Sequence, residues 1–283
     1  MISIIKYYLS ILRPTQWLKN LMLFFPPFLA GHVLQSDLLM QGLVPFASFC
    51  LVSSAGYIFN DLLDREQDRR HPRKQLRPIA AGHISIPAAG ILAAGLLISA
   101  LVWANLSHPE LLPFLLGYIV ITLCYSLWLK DIPVIDLFCI SSGFLIRLQA
   151  GGALFKIPIS PWLFLSVLLL SMFLSTGKRF AELKALGEGA GRHRASLAGY
   201  PPGFLNGTLY LTAGTVLVTY TMYVVQRPKL IYSVPLCLFG LLRYILLVNS
   251  GKSGDPTEAL LKDLMLLLTG LSWVLLVFWS IYR

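Results

Sequence analysis

Residues 39–60, LMQGLVPFASFCLVSSAGYIFN, run without interruption into residues 61–82, DLLDREQDRRHPRKQLRPIAAG. The first segment carries no Asp, Glu, Lys or Arg, and its length matches the roughly 20 apolar residues that a helix needs to cross a bilayer. The second crowds four acids and six bases together, with Pro72 and Pro78 interrupting regular helix. A membrane span therefore ends in a dense patch of both charge signs.

The same apolar pattern recurs along the chain. Of its 283 residues, 56% are hydrophobic and 13% charged, and mean hydropathy is +0.71. A soluble domain carries about 25% charged residues, so a soluble enzyme is excluded, as are disorder, collagen, a coiled coil and a disulfide scaffold. Cys50, Cys124, Cys139 and Cys237 lie inside apolar stretches without the spacing of a zinc or redox pair. The N-terminal MISIIKYYLSILRPTQWLKN does not have the layout of a cleavable signal peptide and reads instead as a short interfacial helix.

Apolar runs predict nine spans, near 20–36, 39–60, 84–106, 110–129, 134–153, 160–176, 207–226, 230–249 and 263–282. With the N-terminus inside, seventeen of the 23 Lys and Arg residues fall on inside segments and four outside, while Arg147 and Arg243 fall within spans. That asymmetry predicts a multi-pass protein of the plasma (inner) membrane, with its N-terminus cytoplasmic and its C-terminus outside. The net charge of +10 is thus read as contact with membrane lipids, not nucleic acid. All acids but Asp37 and Glu110 also sit inside, and so do the long connections at 61–83, 177–206 and 250–262. Mixed charge crowded on one face is what a polyanion-plus-metal site requires, so the chemistry is expected on the cytoplasmic side of one domain covering 1–283.

Asn60, Asp64 and Asp68 are spaced i, i+4, i+8 and share a face if the helix continues, with Asp61 flanking it. Like charges so placed repel unless a cation lies between them. An oxygen-only set without His or Cys suits Mg²⁺, which shares its shell with waters and substrate phosphates. Arg69, Arg70, Arg73, Lys74 and Arg77 follow, and arginine forks grip phosphate oxygens. The alternative is a solvated helix end laced by Asp61–Arg65 and Glu66–Arg70 pairs. Arg147 lies roughly 20 Å along its span, leaving a structural or a lipid-phosphate role open.

At these residues the chain resembles the UbiA superfamily of intramembrane prenyltransferases, whose signature NDxxDxxxD is complete as Asn60, Asp61, Asp64 and Asp68. LRPTQWLKN (12–20), HPRKQLRPIAAG (71–82), YSLWLKDIPVID (125–136), GFLIRLQAGG (143–152), TGKRFAEL (176–183) and GDPTEALLKD (254–263) are similar, in order, to segments of its decaprenyl-phosphate phosphoribosyltransferase branch. The resemblance covers essentially the whole chain. It implies an all-α polytopic fold of nine transmembrane helices around a central cavity open to the cytoplasmic side. Aromatic prenyltransferases of this superfamily carry a second motif, DxxxD, after span six. The matching stretch here is Gly177-Lys178-Arg179-Phe180-Ala181-Glu182, in which two bases and one acid suit direct contact with an anion.

The resemblance thus implies Mg²⁺-dependent transfer of 5-phosphoribosyl from phosphoribosyl diphosphate to a polyprenyl phosphate. Asn60, Asp64 and Asp68 would hold the metal, with Asp61 as a further ligand or just behind them. Lys19, Arg73, Lys74, Arg77, Tyr125, Lys130 and Glu182 would bind substrate, and Lys178 and Arg179 would aim the acceptor. Asp136 is read as a ligand, a ribose-hydroxyl acceptor or a helix start. Two other readings stand beside this one: an aromatic or quinone prenyltransferase, and a non-enzymatic lipid-binding or transport protein.

Overall fold

The computed structural model describes residues 2–35, 37–72, 74–189, 191, 194–251 and 254–283. Among them the regular structure is entirely helical. The α-helices are α1 (Ile2–Leu12), α2 (Phe25–Leu29), α3 (Leu38–Leu63), α4 (Arg65–Arg69), α5 (Ile86–Ser107), α6 (Leu112–Leu127) and α7 (Ile135–Leu154). They continue with α8 (Pro161–Leu186), α9 (Ala195–Ala198), α10 (Phe204–Val225), α11 (Val234–Asn249), α12 (Pro256–Lys262) and α13 (Leu264–Tyr282).

Eight segments among the described residues are long and apolar enough to cross a membrane: those containing α3, α5, α6, α7, α8, α10, α11 and α13. They match eight of the nine expected spans, and the chain is a multi-pass integral membrane protein. The first expected span, 20–36, takes a different form. Pro14–Phe24 is a 3-10 run that passes directly into the five residues of α2. Pro26 and Pro27 have no N–H, so an α-helical ladder starts at this point and cannot arrive from upstream. A 3-10 run rises about 2.0 Å per residue, so with α2 the segment still reaches roughly 30 Å, the thickness of the hydrocarbon core. It lies tight against α7: a Cβ on Gly151 would sit 2.2 Å from the Leu23 carbonyl oxygen.

Serine and aspartate caps followed by proline set several helix starts. The Ser160 hydroxyl accepts from Leu163 N–H ahead of α8, and Asp255 accepts from the N–H groups of Thr257 and Glu258 ahead of α12. At 26 residues each, α3 and α8 are about 39 Å long, longer than the hydrocarbon core, so their charged C-terminal turns project beyond it. The expected sixth span ends at 176, but α8 runs on to Leu186 and stops at Gly187, whose φ is +54°. Lys178, Arg179 and Glu182 therefore stand on a helix and not in a loop.

The helices pack in a closed sequence of neighbours: α3 on α6, α6 on α7, α7 on α8, α8 on α10, α10 on α11, α11 on α13, α13 onto α2, and the 3-10 run that leads into α2 back onto α3. Buried Phe49, Leu111, Leu115 and Ala150 hold one side together, and Phe173, Leu209, Tyr244 and Val248 the other. Leu264, Leu268, Leu271 and Leu275 of α13 are exposed, as a lipid-facing surface requires.

Candidate active site

The ring of helices surrounds a cavity of about 850 Å³. Helix α5 lies outside the ring against α3 and lines none of it. One part of the wall is apolar, with Leu163, Val167, Phe173, Val216, Leu241 and Trp273; the other carries the charged helix ends.

Helix α3 ends at Leu63 and α4 starts at Arg65, yet the i to i−4 bonding continues through the junction. Asp64 N–H donates to the Asn60 carbonyl at 2.9 Å and Asp68 N–H to the Asp64 carbonyl at 2.8 Å. Asn60, Asp64 and Asp68 consequently face the same cavity, as their spacing predicts. Asn60 Nδ2 donates to Asp64 Oδ2 at 2.9 Å, and Lys130 forms an ion pair with Asp64 Oδ1. Asp68 receives Arg77 at 2.7 Å. Burial pushes the Asp68 carboxyl above its ordinary value, only partly opposed by the Arg77 guanidinium.

Asp61 is placed differently. It is buried off the cavity wall and joins Arg13, at 2.6 Å, to Arg77, at 2.9 Å. Arg13 reaches it from a left-handed backbone conformation (φ 52°) between α1 and the 3-10 run. The i, i+4 pairs Asp61–Arg65 and Glu66–Arg70 are not formed among the described residues; Glu66 pairs with Arg65 and Arg69 on the surface. Arg73 lies outside the described residues.

Two carboxylates and an amide make no three-acid cage, and no cluster of three or more His, Cys, Asp or Glu suited to a metal occurs among the described residues. Magnesium rarely needs such a cage: one or two carboxylates plus substrate phosphates and waters complete its shell. The oxygen-only set of Asn60, Asp64 and Asp68 on one cavity wall fits that chemistry.

Across the cavity, Arg179 is 2% exposed and has three of its donors occupied. Nε bonds Asp136 Oδ2 at 2.7 Å, one terminal nitrogen Glu182 at 2.8 Å, and the other the Tyr125 hydroxyl at 3.1 Å. Asp136 also accepts from the Tyr200 hydroxyl at 2.7 Å, which ties in the segment after α8. Of the three roles open to Asp136, the geometry favours none that touches substrate; it anchors a buried guanidinium. Arg194 bonds Tyr125 from the same segment.

Lys178 pairs with Asp255 at 2.8 Å. Burial would raise the Asp255 carboxyl, but the Lys178 ammonium and the Glu258 N–H outweigh it and hold it below its ordinary value. Lys19 lines the cavity within electrostatic reach of Lys178, Asp255 and Arg147. Arg147 is 4% exposed and pairs with no carboxylate among the described residues. It donates to Asn20 Oδ1 at 2.6 Å, the Gly143 carbonyl at 2.7 Å and the Tyr118 hydroxyl at 3.0 Å, and lies 4.4 Å from the Tyr118 ring centroid. Arg243 pairs with Asp263 away from the cavity.

Asn60, Asp64, Asp68, Lys19, Lys74, Arg77, Tyr125, Lys130, Lys178, Arg179 and Glu182 thus line one cavity, and Asp61 does not. Sequence reasoning left Arg13, Arg194 and Asp255 without a role. Arg13 and Asp255 do fall inside segments that carry the family resemblance, which is the signal that could have marked them.

The UbiA prenyltransferase family model matches residues 24–271. A decaprenyl-phosphate phosphoribosyltransferase of Mycolicibacterium smegmatis is 35% identical, the match covering 93% of this chain and 88% of that one. One of the same name from Mycobacterium tuberculosis is 33% identical over 93% of this chain and 90% of its own. Among solved structures, a UbiA homologue from Archaeoglobus fulgidus bound to GPP and Mg²⁺ superposes with a TM-score of 0.75 at 19% identity, covering 98% of this chain and 99% of that one.

Proposed function

The chain is a transferase of the UbiA prenyltransferase family, and we propose that it moves 5-phosphoribosyl from phosphoribosyl diphosphate to a polyprenyl phosphate of decaprenyl type. The observation that carries this reading is the C-terminal end of α8. Where aromatic prenyltransferases of the superfamily bear a second acidic pair, this cavity wall bears Lys178, Arg179 and Glu182. Such a wall suits an anionic acceptor better than a second metal on an isoprenoid diphosphate.

Asn60, Asp64 and Asp68 would hold Mg²⁺ against the donor's diphosphate. Bound there, the ion supplies charge neutralisation to the leaving group. Lys130, released from Asp64, neutralises the same diphosphate, and Arg77 holds Asp68 in place. Glu182, fixed by Arg179, accepts from a ribose hydroxyl. Lys19 and Lys178 orient the acceptor phosphate where the apolar wall receives its chain. One acceptor oxygen bonds to C1 of the ribose as the C1–O bond to diphosphate breaks, and the diphosphate departs with the electron pair. The attacking oxygen is already anionic, so the step needs no strong base. Arg179 acts through Tyr125 and Glu182 as a positioning residue.

The charged end of the bundle would face the cytoplasm, source of the soluble donor, with the C-terminus across the plasma membrane. Donor choice tests the reading. Purified protein with Mg²⁺ is expected to turn over phosphoribosyl diphosphate with polyprenyl phosphate, and not a polyprenyl diphosphate with an aromatic acceptor. The reverse preference would overturn it.

A further inference from the structure

Most cations that line the cavity have a carboxylate partner: Arg13 and Arg77 with Asp61, Lys130 with Asp64, Lys178 with Asp255, and Arg179 with Asp136 and Glu182. Lys19, Lys74, Arg147 and Arg194 also line it and pair with none among the described residues; Arg147 is met instead by Asn20, Gly143 and Tyr118, and Lys19 lies toward Lys178 and Asp255, which leaves Lys74 and Arg194. Arg194 lies 5.7 Å from the Tyr125 ring centroid and donates one terminal N–H to its hydroxyl, but its buried Nε meets no acceptor among the described residues. The Tyr125 hydroxyl already receives both Arg179 and Arg194, so its own proton has no acceptor among the described residues either. Lys74 and Arg194 both lie within electrostatic reach of Glu182, and of one another.

Unsatisfied donors in a partly buried setting are costly unless a ligand meets them. A group offering three acceptor oxygens and negative charge would satisfy the ammonium, the guanidinium and the phenol together. We propose that Lys74, Tyr125 and Arg194 form a second anion subsite that takes the 5-phosphate of the donor ribose. This rests on the phosphoribosyl reading and explains how such a donor would be told from an isoprenoid diphosphate, which has no phosphate at its far end. The diphosphate belongs at Asn60, Asp64 and Asp68, and the ribose spans from there past Glu182 to the second subsite. The acceptor is also a phosphate monoester, but its apolar chain draws it toward Lys19 and the apolar wall.

The test is equilibrium binding to full-length protein of three probes: ribose 5-phosphate, inorganic diphosphate with Mg²⁺, and a short-chain polyprenyl phosphate. Arg194→Gln is expected to weaken ribose 5-phosphate at least tenfold and to leave the other two unchanged. Arg194→Lys, which keeps the charge and loses the fork, should recover part of that loss. Failure of the wild type to bind ribose 5-phosphate, unchanged binding by Arg194→Gln, or a loss falling on the polyprenyl phosphate would each overturn the proposal. Binding needs no turnover. If the wild type makes no phosphoribosyl lipid yet binds ribose 5-phosphate through Arg194, the reaction falls and the subsite stands.

Discussion

Lys130 closes an ion pair on Asp64, two residues 66 positions apart that meet where the link between α6 and α7 crosses the end of α3. The second carboxylate oxygen of Asp64 accepts from Asn60, so both oxygens are held by donors of this chain. A lysine on the central acid keeps like charges from repelling and, on the proposed reading, would stand beside the leaving diphosphate.

Asp64→Ala is expected to lower turnover by about 10²–10³-fold, the range seen when one preorganised contact to developing charge is lost. Steady-state assays across a Mg²⁺ titration check this. Wild-type turnover of the Ala variant at saturating Mg²⁺ would remove Asp64 from the metal site.

Asp61 gives the contrasting variant. Asp61→Asn leaves Arg13 and Arg77 facing a neutral amide, which costs about 1–3 kcal/mol. Thermal unfolding in detergent should show a lowered Tm, while the Mg²⁺ concentration for half-maximal activity stays within about twofold of wild type, since Asp61 is off the cavity wall. A large rise in that concentration would make Asp61 a ligand.

Arg179 and Asp136 are 2% and 0% exposed. Removing either alone strands a buried charge at about 3–5 kcal/mol. Arg179→Leu and Asp136→Leu should each lower Tm strongly, and the double variant should lose less than their sum. Strict additivity would contradict the coupling.

Lys74 carries the pH dependence. Burial, reinforced by Arg77, holds its ammonium below the ordinary lysine value. Phosphate favours the charged form, so donor binding takes up a proton and weakens as pH rises through the depressed value, short of the usual 10.4 or so. Folding runs with the opposite sign: the unfolded chain binds the proton more tightly, so this group adds stability as pH rises across that window. Lys74→Arg, protonated throughout, should move the loss of donor affinity to higher pH. Unchanged profiles of donor KM against pH would exclude Lys74 from the site.

The legible part of this site was its local part. Four-residue spacing put Asn60, Asp64 and Asp68 on one face, and the structure keeps that face even though α3 breaks at Asp64. The direction Asp61 takes was not legible, because Arg13 lies 48 residues before it and Arg77 16 after it. Asp136 read as an open choice for the same reason: its partner Arg179 is 43 residues away. Eight spans followed from hydropathy alone. The first expected span, 20–36, differed because Pro14, Pro26 and Pro27 determine the local ladder in a way that apolar composition does not report.

The central claim is the transfer itself. Purified protein given phosphoribosyl diphosphate labelled in the ribose, a polyprenyl phosphate and Mg²⁺ should release diphosphate and place the label in a chloroform-soluble lipid, one label per lipid. An absence of labelled lipid, under conditions in which the mycobacterial relative forms it, would contradict the account.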